Sequence, residues 1–286
     1  MKPAYITDHF LSTFISSAFQ EDVGDGDHSS LAAIPELAQS KAQLLVKDNG
    51  ILAGVELAEA IFRHLDPTLK VEVKLRDGSS IKKGDVVLTV SGSARSILTA
   101  ERLVLNSMQR MSGIATKTSQ LDELIKGTHA KLLDTRKTTP NFRLLEKWAV
   151  VIGGGSNHRI GLYDMIMLKD NHIDMAGGIR SAINRTKDYL RATNRNLRIE
   201  VETRNLKEVQ EVLEVGGVDM IMLDNMNIKT IQEAVELIGG RCKTEASGGI
   251  TEQTIREIAL CGVDFISSGA LTHSAGSLDL SLKAIK

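Results

Sequence analysis

LLDTRKTTPNFRLLEKWAVVIGGGSNHRIGLYDMIMLKDNH, residues 132–172, decides how this chain reads. A strand-like run, KLLDT (131–135), leads into it, and a second, DMIML (164–168), comes near its end. Arg136 and Lys137 stand where the first run turns to loop, and Lys169 stands at the end of the second. His158 and Arg159 lie between, behind the glycine run 153–155. The whole chain of 286 residues carries a formal charge of only -1, so this cationic group is local. A local set of fixed cations in a neutral protein points to a small polyanionic ligand rather than to nucleic acid.

The same texture repeats downstream. LRIEV (197–201), DMIML (219–223), CKTEA (242–246) and VDFIS (263–267) read as strands, separated by amphipathic stretches such as NLKEVQEVLEVGG and TEQTIREIALCG. Strand, loop and helix in alternation predict parallel strands joined by crossover helices. Six or seven such units favour an α/β barrel, complete or incomplete, over an open sheet. No GxGxxG follows the first strand, which weakens a dinucleotide-binding sheet.

Upstream of about residue 115 the texture differs. KAQLLVKDNGILAG and LKVEVKLRDGSSIKKGDVVLTVSG are short strand-like runs punctuated by Asp77-Gly78 and Lys83-Gly84-Asp85. Val71, Val73 and Leu75 alternate with charge, as in a half-exposed strand. An opening helix near residues 5–20 precedes them. A further helix is expected over TAERLVLNSMQRMSGIA, with Thr99 as N-cap and Gly113 just past its end. Val104, Met108 and Met111 share its apolar face; Arg102, Asn106 and Gln109 share a polar one, where Arg102 reads as a solvated charge. Two domains are expected, 1–115 and 116–286.

Composition agrees with a globular protein: 42% hydrophobic and 25% charged. Aromatics are only 3%, so the core rests on Leu, Ile, Val, Met and Ala. Cys242 and Cys261 form no CxxC and no metal spacing with histidine, as expected for reduced thiols in the cytoplasm. The N-terminal stretch does not read as a secretory signal, and no apolar run is long enough to span a membrane. A pI near 6.7 argues against a general nucleic-acid binder.

In a barrel the site lies at the carboxyl ends of the strands. There the sequence puts Arg136 and Lys137, Lys169, Glu202, Asp224, Ser247-Gly248-Gly249 and Ser268-Gly269. Glycine lets backbone N–H groups approach a phosphate, and a helix N-terminus adds partial positive charge. Glu202 and Asp224 have three readings: ion-pair partners, ligands of Mg²⁺ directly or through water, or partners of ribose hydroxyls. EDVGDGD (21–27) fails the calcium-loop template and receives no ligand.

EDVGDGD, TAERLVLNSMQRMSGIAT, LLDTRKTTPNFR, GGGSNHRIGL, MLKDNH, IEVE, MLDN, EASGGI and GALTHS together resemble the quinolinate phosphoribosyltransferase family, in order from about residue 20 to 280. The resemblance implies an N-terminal sandwich-like α/β domain and an incomplete, seven-stranded α/β barrel, with the last residues able to pack back on the N-terminal domain. It implies a homodimer or higher homo-oligomer with shared sites. It also implies transfer of phosphoribosyl from phosphoribosyl pyrophosphate (PRPP) to quinolinate with Mg²⁺, giving nicotinate mononucleotide, pyrophosphate and CO₂. By motif, Arg136, His158, Arg159 and Lys169 would meet the quinolinate carboxylates, and Arg102 would reach in from a partner subunit. Lys137, and again Lys169, would lie near PRPP. Glu202 and Asp224 would serve its ribose and the metal, and Ser247, Gly248, Gly249, Ser268 and Gly269 its phosphate. Rival readings are a transferase of the same fold acting on nicotinate or another small acid, a carrier domain suggested by DGSSIKKGDVVLTVSG, which lacks the modified lysine between methionines, and a barrel that has lost catalysis.

Overall fold

A computed structural model describes residues 2–285. The chain divides into two compact units: residues up to Ser119 with Thr138–Gly154 and everything from Ala270, and Gln120–Lys137 with Gly155–Gly269. By contact, the chain passes between these units several times.

In the first unit, α1 (Asp8–Val23) starts at Thr7, whose hydroxyl accepts the Phe10 amide at 3.1 Å. Asp27 caps α2 (His28–Ala33), accepting the Ser30 amide and the Thr99 hydroxyl, each at 3.0 Å. The last acid of EDVGDGD is therefore a helix cap and a tie. There follow β1 (Gln39–Val46), β2 (Gly50–Ile51), α3 (Val55–Leu65), β3 (Lys70–Val73), β4 (Ser80–Ile81) and β5 (Val86–Ser93). β5 and the chain's last strand, Leu280–Ile285, flank β1 antiparallel, and β3 forms the half-exposed edge beyond β5. Asp77 caps α3, taking the Val55 amide at 2.8 Å.

α4 (Ala94–Leu124) is longer than expected, because neither proposed end acts as one. The Thr99 hydroxyl is committed to Asp27. Gly113 sits inside the helix where the Gly276 carbonyl approaches so closely that a Cβ would collide with it. Val104, Met108 and Met111 are fully buried, as their spacing predicts. α5 (Arg143–Ile152) carries Glu146, also fully buried. Arg110 of α4 donates to Glu146 through Nε at 2.9 Å and Nη2 at 2.8 Å, and to the Ala275 carbonyl at 2.7 Å. Thr139 adds an amide at 3.1 Å and a hydroxyl at 2.9 Å, so the buried carboxylate is saturated.

The second unit is a run of strands and helices: β6 (Lys131–Leu133), β7 (Ile166–Leu168), α6 (Asp170–Ala176), α7 (Ile179–Ala192), β8 (Ile199–Thr203), α8 (Leu206–Val215), β9 (Met220–Asp224), α9 (Ile228–Ile238), β10 (Lys243–Ser247), α10 (Ile255–Leu260) and β11 (Phe265–Ser267). Asn205 and Asn227 cap α8 and α9. The strands pair in parallel in the order β6-β11-β10-β9-β8-β7. A single bridge from Leu133 to Ser156 extends the β6 edge. Register therefore gives six strands and one bridge where seven strands are expected. The sheet is strongly curled. His158 follows Ser156 outside β6, yet its ring lies 3.0 Å from Glu200 on β8. In a flat sheet at ~4.8 Å per strand, those positions would stand roughly 24 Å apart. No described helix is long and apolar enough to cross a membrane.

Gly113→Ala should destabilise the protein by about 1–3 kcal/mol despite the better helix propensity of alanine, because the clashing atom belongs to backbone that cannot rotate away. Urea unfolding measures this, and a neutral or stabilising substitution would contradict the close approach.

Candidate active site

The irregular segment 156–161 is pinned at nearly every residue. Ser156 donates its amide to the Leu132 carbonyl at 2.8 Å and accepts the Asp134 amide at 3.2 Å. Asp134, fully buried at the end of β6, accepts the Asn157 side-chain amide at 2.6 Å and the His158 amide at 2.9 Å. The Arg159 amide donates to His158 Nδ1 at 2.7 Å. Asp164 then accepts the Ile160 amide at 2.7 Å and the Gly161 amide at 2.8 Å. Hydrogen bonds thus give this loop the fixity that a strand would otherwise supply.

Pinning holds Arg159 within electrostatic reach of Arg136. The Arg159 side chain is buried and donates to the Met165 carbonyl at 3.2 Å. Burial first, and then the charge of Arg136, hold its guanidinium below the usual arginine value, while Glu200 and Asp164 pull the other way. Two guanidinium groups are held close enough to repel, one after β6 and one in the pinned loop. Such an arrangement favours an anion between them.

A second group forms at the ends of the next strands. The Glu202 carboxyl is raised by burial and then by the charge of Asp224; Lys169 opposes this. Asp224 and Ser247 are in register across β9 and β10. Asn225, at φ 53°, donates its amide to the Ser247 carbonyl at 2.8 Å and its side chain to Asp224 at 2.7 Å. Gly248 has φ 87°, and a Cβ there would run into the Asn225 amide group, so only glycine fits. Gly249 follows at φ 61° and faces open space. The helix that follows, α10, begins at Ile255. Ser268 is buried, and its amide donates to the Leu133 carbonyl at 3.0 Å; Gly269 follows it.

The second unit therefore holds every expected site residue except Arg102. Lys137 and Lys169 are exposed, Arg136 and Asp224 half-buried. Arg102 belongs to the first unit, two-thirds exposed (67%), with Glu101 at 3.9 Å. His158, expected to meet quinolinate, has carboxylates beside its ring: Nδ1 accepts the Arg159 amide, and Nε2 lies 3.0 Å from Glu200 and 3.3 Å from Glu245. Sequence reasoning missed Glu200, Glu245 and Asp134, each fully buried. Their signal was a lone acid inside an apolar parallel strand or at its end, where burial demands a partner.

Burial alone would lower the His158 ring, but Glu200 and Glu245 outweigh it and lift the ring to about 9. Yet Nδ1, which would take the second proton, already accepts the Arg159 amide. We therefore assign the proton retained by this trio to Glu200, whose carboxyl is pushed up to about 7, chiefly by burial. A carboxyl raised from 4.5 contributes stability that is fully present below that value and lost as pH rises through about 7. Unfolding free energy should fall across that window by up to about 3 kcal/mol, and Glu200→Gln should flatten the slope. Urea titrations from pH 4.5 to 8 read this directly, and an unchanged slope in the variant would contradict the assignment.

Residues 27–112 match the family "Quinolinate phosphoribosyl transferase, N-terminal domain", and residues 114–283 its C-terminal domain. The chain is 48% identical to the chloroplastic nicotinate-nucleotide pyrophosphorylase (carboxylating) of Arabidopsis thaliana, covering 99% of this chain and 85% of that one. It is 40% identical to the probable nicotinate-nucleotide pyrophosphorylase (carboxylating) of Bacillus subtilis, covering 95% and 92%. The crystal structure of NadC from Streptococcus pyogenes superposes with a TM-score of 0.91 at 40% identity, covering 98% and 99%. With both domain signatures matched in order over nearly its whole length, the chain belongs to the quinolinate phosphoribosyltransferase family.

Proposed function

We propose that this protein transfers the phosphoribosyl group of PRPP to quinolinate with loss of CO₂, giving nicotinate mononucleotide and pyrophosphate at the entry to de novo NAD synthesis. The observation that carries this reading is the pinned loop that holds the buried Arg159 side chain within electrostatic reach of Arg136. Quinolinate is a dianion, and burying its two carboxylates without partners is prohibitive. Each charge-assisted hydrogen bond returns roughly 1.5–3 kcal/mol, so several prearranged cations offset the desolvation. Arginine suits this task because its planar fork matches a carboxylate. Nicotinate has one carboxylate and would leave part of the cluster unmatched.

Lys137 and Lys169 are assigned to the charged groups of PRPP, with Lys169 also within reach of quinolinate. Glu202 and Asp224 are assigned to its ribose and to Mg²⁺. The mutual repulsion of these two acids is what a hard dication relieves, and oxygen donors of this kind suit Mg²⁺ directly or through water. Bound there, Mg²⁺ would supply charge stabilisation for the departing pyrophosphate. Ser247, Gly248, Gly249, Ser268 and Gly269 are assigned to phosphate, supported by two consecutive positive-φ glycines and the open space at Gly249.

The pyridine nitrogen attacks C1 of the ribose as the C–O bond to pyrophosphate breaks, and Glu202 and Asp224 favour the cation that develops at C1. The resulting pyridinium stabilises the electron pair left on the ring carbon when the adjacent carboxylate departs as CO₂, and a proton from water then takes up that pair. The substrate is its own electron sink, so the chain's residues bind, orient and exclude water. We further assign Arg102 to the site of a partner subunit in a homodimer or larger assembly, supported by its exposure.

Purified protein should release CO₂ from quinolinate only when PRPP is present, and equal turnover of nicotinate would overturn the substrate assignment. Arg136→Ala should weaken quinolinate binding by about tenfold or more while the protein stays folded; calorimetry showing unchanged affinity would refute it. Mixing an Arg102→Ala chain with a Lys169→Ala chain should restore part of the activity in hybrids. No rescue in hybrids shown to form would exclude a shared site.

A further inference from the structure

His158, Glu200 and Glu245 bring three titratable side chains together inside the second unit, at 8%, 0% and 0% exposure. Their donor atoms lie within 4.8 Å of one another, a spacing that would also suit a cation. The tautomer argues otherwise. His158 Nδ1 accepts the Arg159 amide at 2.7 Å, so the proton of a neutral ring resides on Nε2. That nitrogen is the one facing both carboxylates, at 3.0 Å and 3.3 Å, and a protonated nitrogen cannot ligate a metal.

The trio has a different consequence. Glu200 and Glu245 sit on β8 and β10, elements fixed by ladder hydrogen bonds. The segment 156–161 has no ladder of its own beyond the Ser156 bridge. The His158 ring links the two: one nitrogen meets the strands, the other meets the backbone amide of Arg159. We infer that Glu200 and Glu245 are positioning residues that act through His158 to fix the backbone of Arg159 and aim its guanidinium at the substrate carboxylate. This rests on the reading that Arg159 meets such a carboxylate. The arrangement parallels the second layer of metal sites, where a carboxylate behind an imidazole sets its tautomer and angle. Here the object held is an arginine.

The test is a double-mutant cycle between Glu245→Leu and Arg159→Ala in the full-length protein, read by calorimetric affinity for quinolinate and, separately, for PRPP. Glu245→Leu removes the acceptor at similar volume. It should weaken quinolinate binding about tenfold and leave PRPP binding within about twofold. Glu245→Gln keeps an oxygen for Nε2–H and should restore quinolinate affinity to within about threefold of the parent. In the Arg159→Ala background, Glu245→Leu should have no further effect. Equal weakening of both ligands would mark a merely structural role and overturn the inference, as would an additive loss in the cycle or a failure of glutamine to rescue. If the leucine variant does not fold, Glu245→Asp, which withdraws the carboxylate by one methylene, is held to the same criteria. A tightly bound cation found in the purified protein and lost in Glu245→Gln would overturn it in favour of a metal. If Arg159→Ala alone leaves quinolinate affinity unchanged, the site reading falls and the inference with it. A weakened Arg159→Ala with an inert Glu245→Leu defeats only the inference.

Discussion

Accommodating the like charges of Arg136 and Arg159 within electrostatic reach of each other is the constraint on which the candidate site depends. Arg136 and Arg159 repel, and burial makes the repulsion worse. Left on flexible loops they would separate. Asp134 prevents this from one side by gripping the Asn157 and His158 amides, and His158 prevents it from beneath. Asp164 closes the far end through the Ile160 and Gly161 amides. In the proposed function this fixed charge is in place before the ligand arrives, and preorganisation of that kind lowers the cost of binding.

Curling of the parallel sheet makes the grip possible. It brings the segment beyond β6 against β8 and β10, which a flat sheet would hold far away. Side-chain alternation then separates tasks along one strand. Glu200 and Glu202 point to the same side of β8, two residues apart. The inner acid meets His158, whereas the outer one shares the strand ends with Asp224 and Lys169. Cationic and acidic groups thus occupy neighbouring parts of one rim, as a reaction joining an acid to a phosphorylated sugar requires.

Much of this was legible in the residues. Six strands were read within about two residues of their observed bounds, because short apolar runs ending in charge are distinctive. Arg136, Lys169, Glu202 and Asp224 could be placed at strand ends for the same reason. The length of α4 was not legible. Thr99 and Gly113 carry the local signature of helix ends, but a tertiary partner claimed each: the Asp27 carboxylate for the hydroxyl and the Gly276 carbonyl for the missing Cβ. The two acids beside His158 were not legible, because they lie 42 and 87 positions away, and no local pattern reports a contact made by sheet curvature. Residues 138–154, read with the barrel, cluster with the first unit because Glu146 takes its hydrogen bonds from Arg110.

Crystals of the protein grown with quinolinate alone test the central claim most directly. The account predicts density for the dianion with its carboxylate oxygens about 2.7–2.9 Å from the guanidinium nitrogens of Arg136 and Arg159. Quinolinate bound elsewhere, or held by neither arginine, would contradict it.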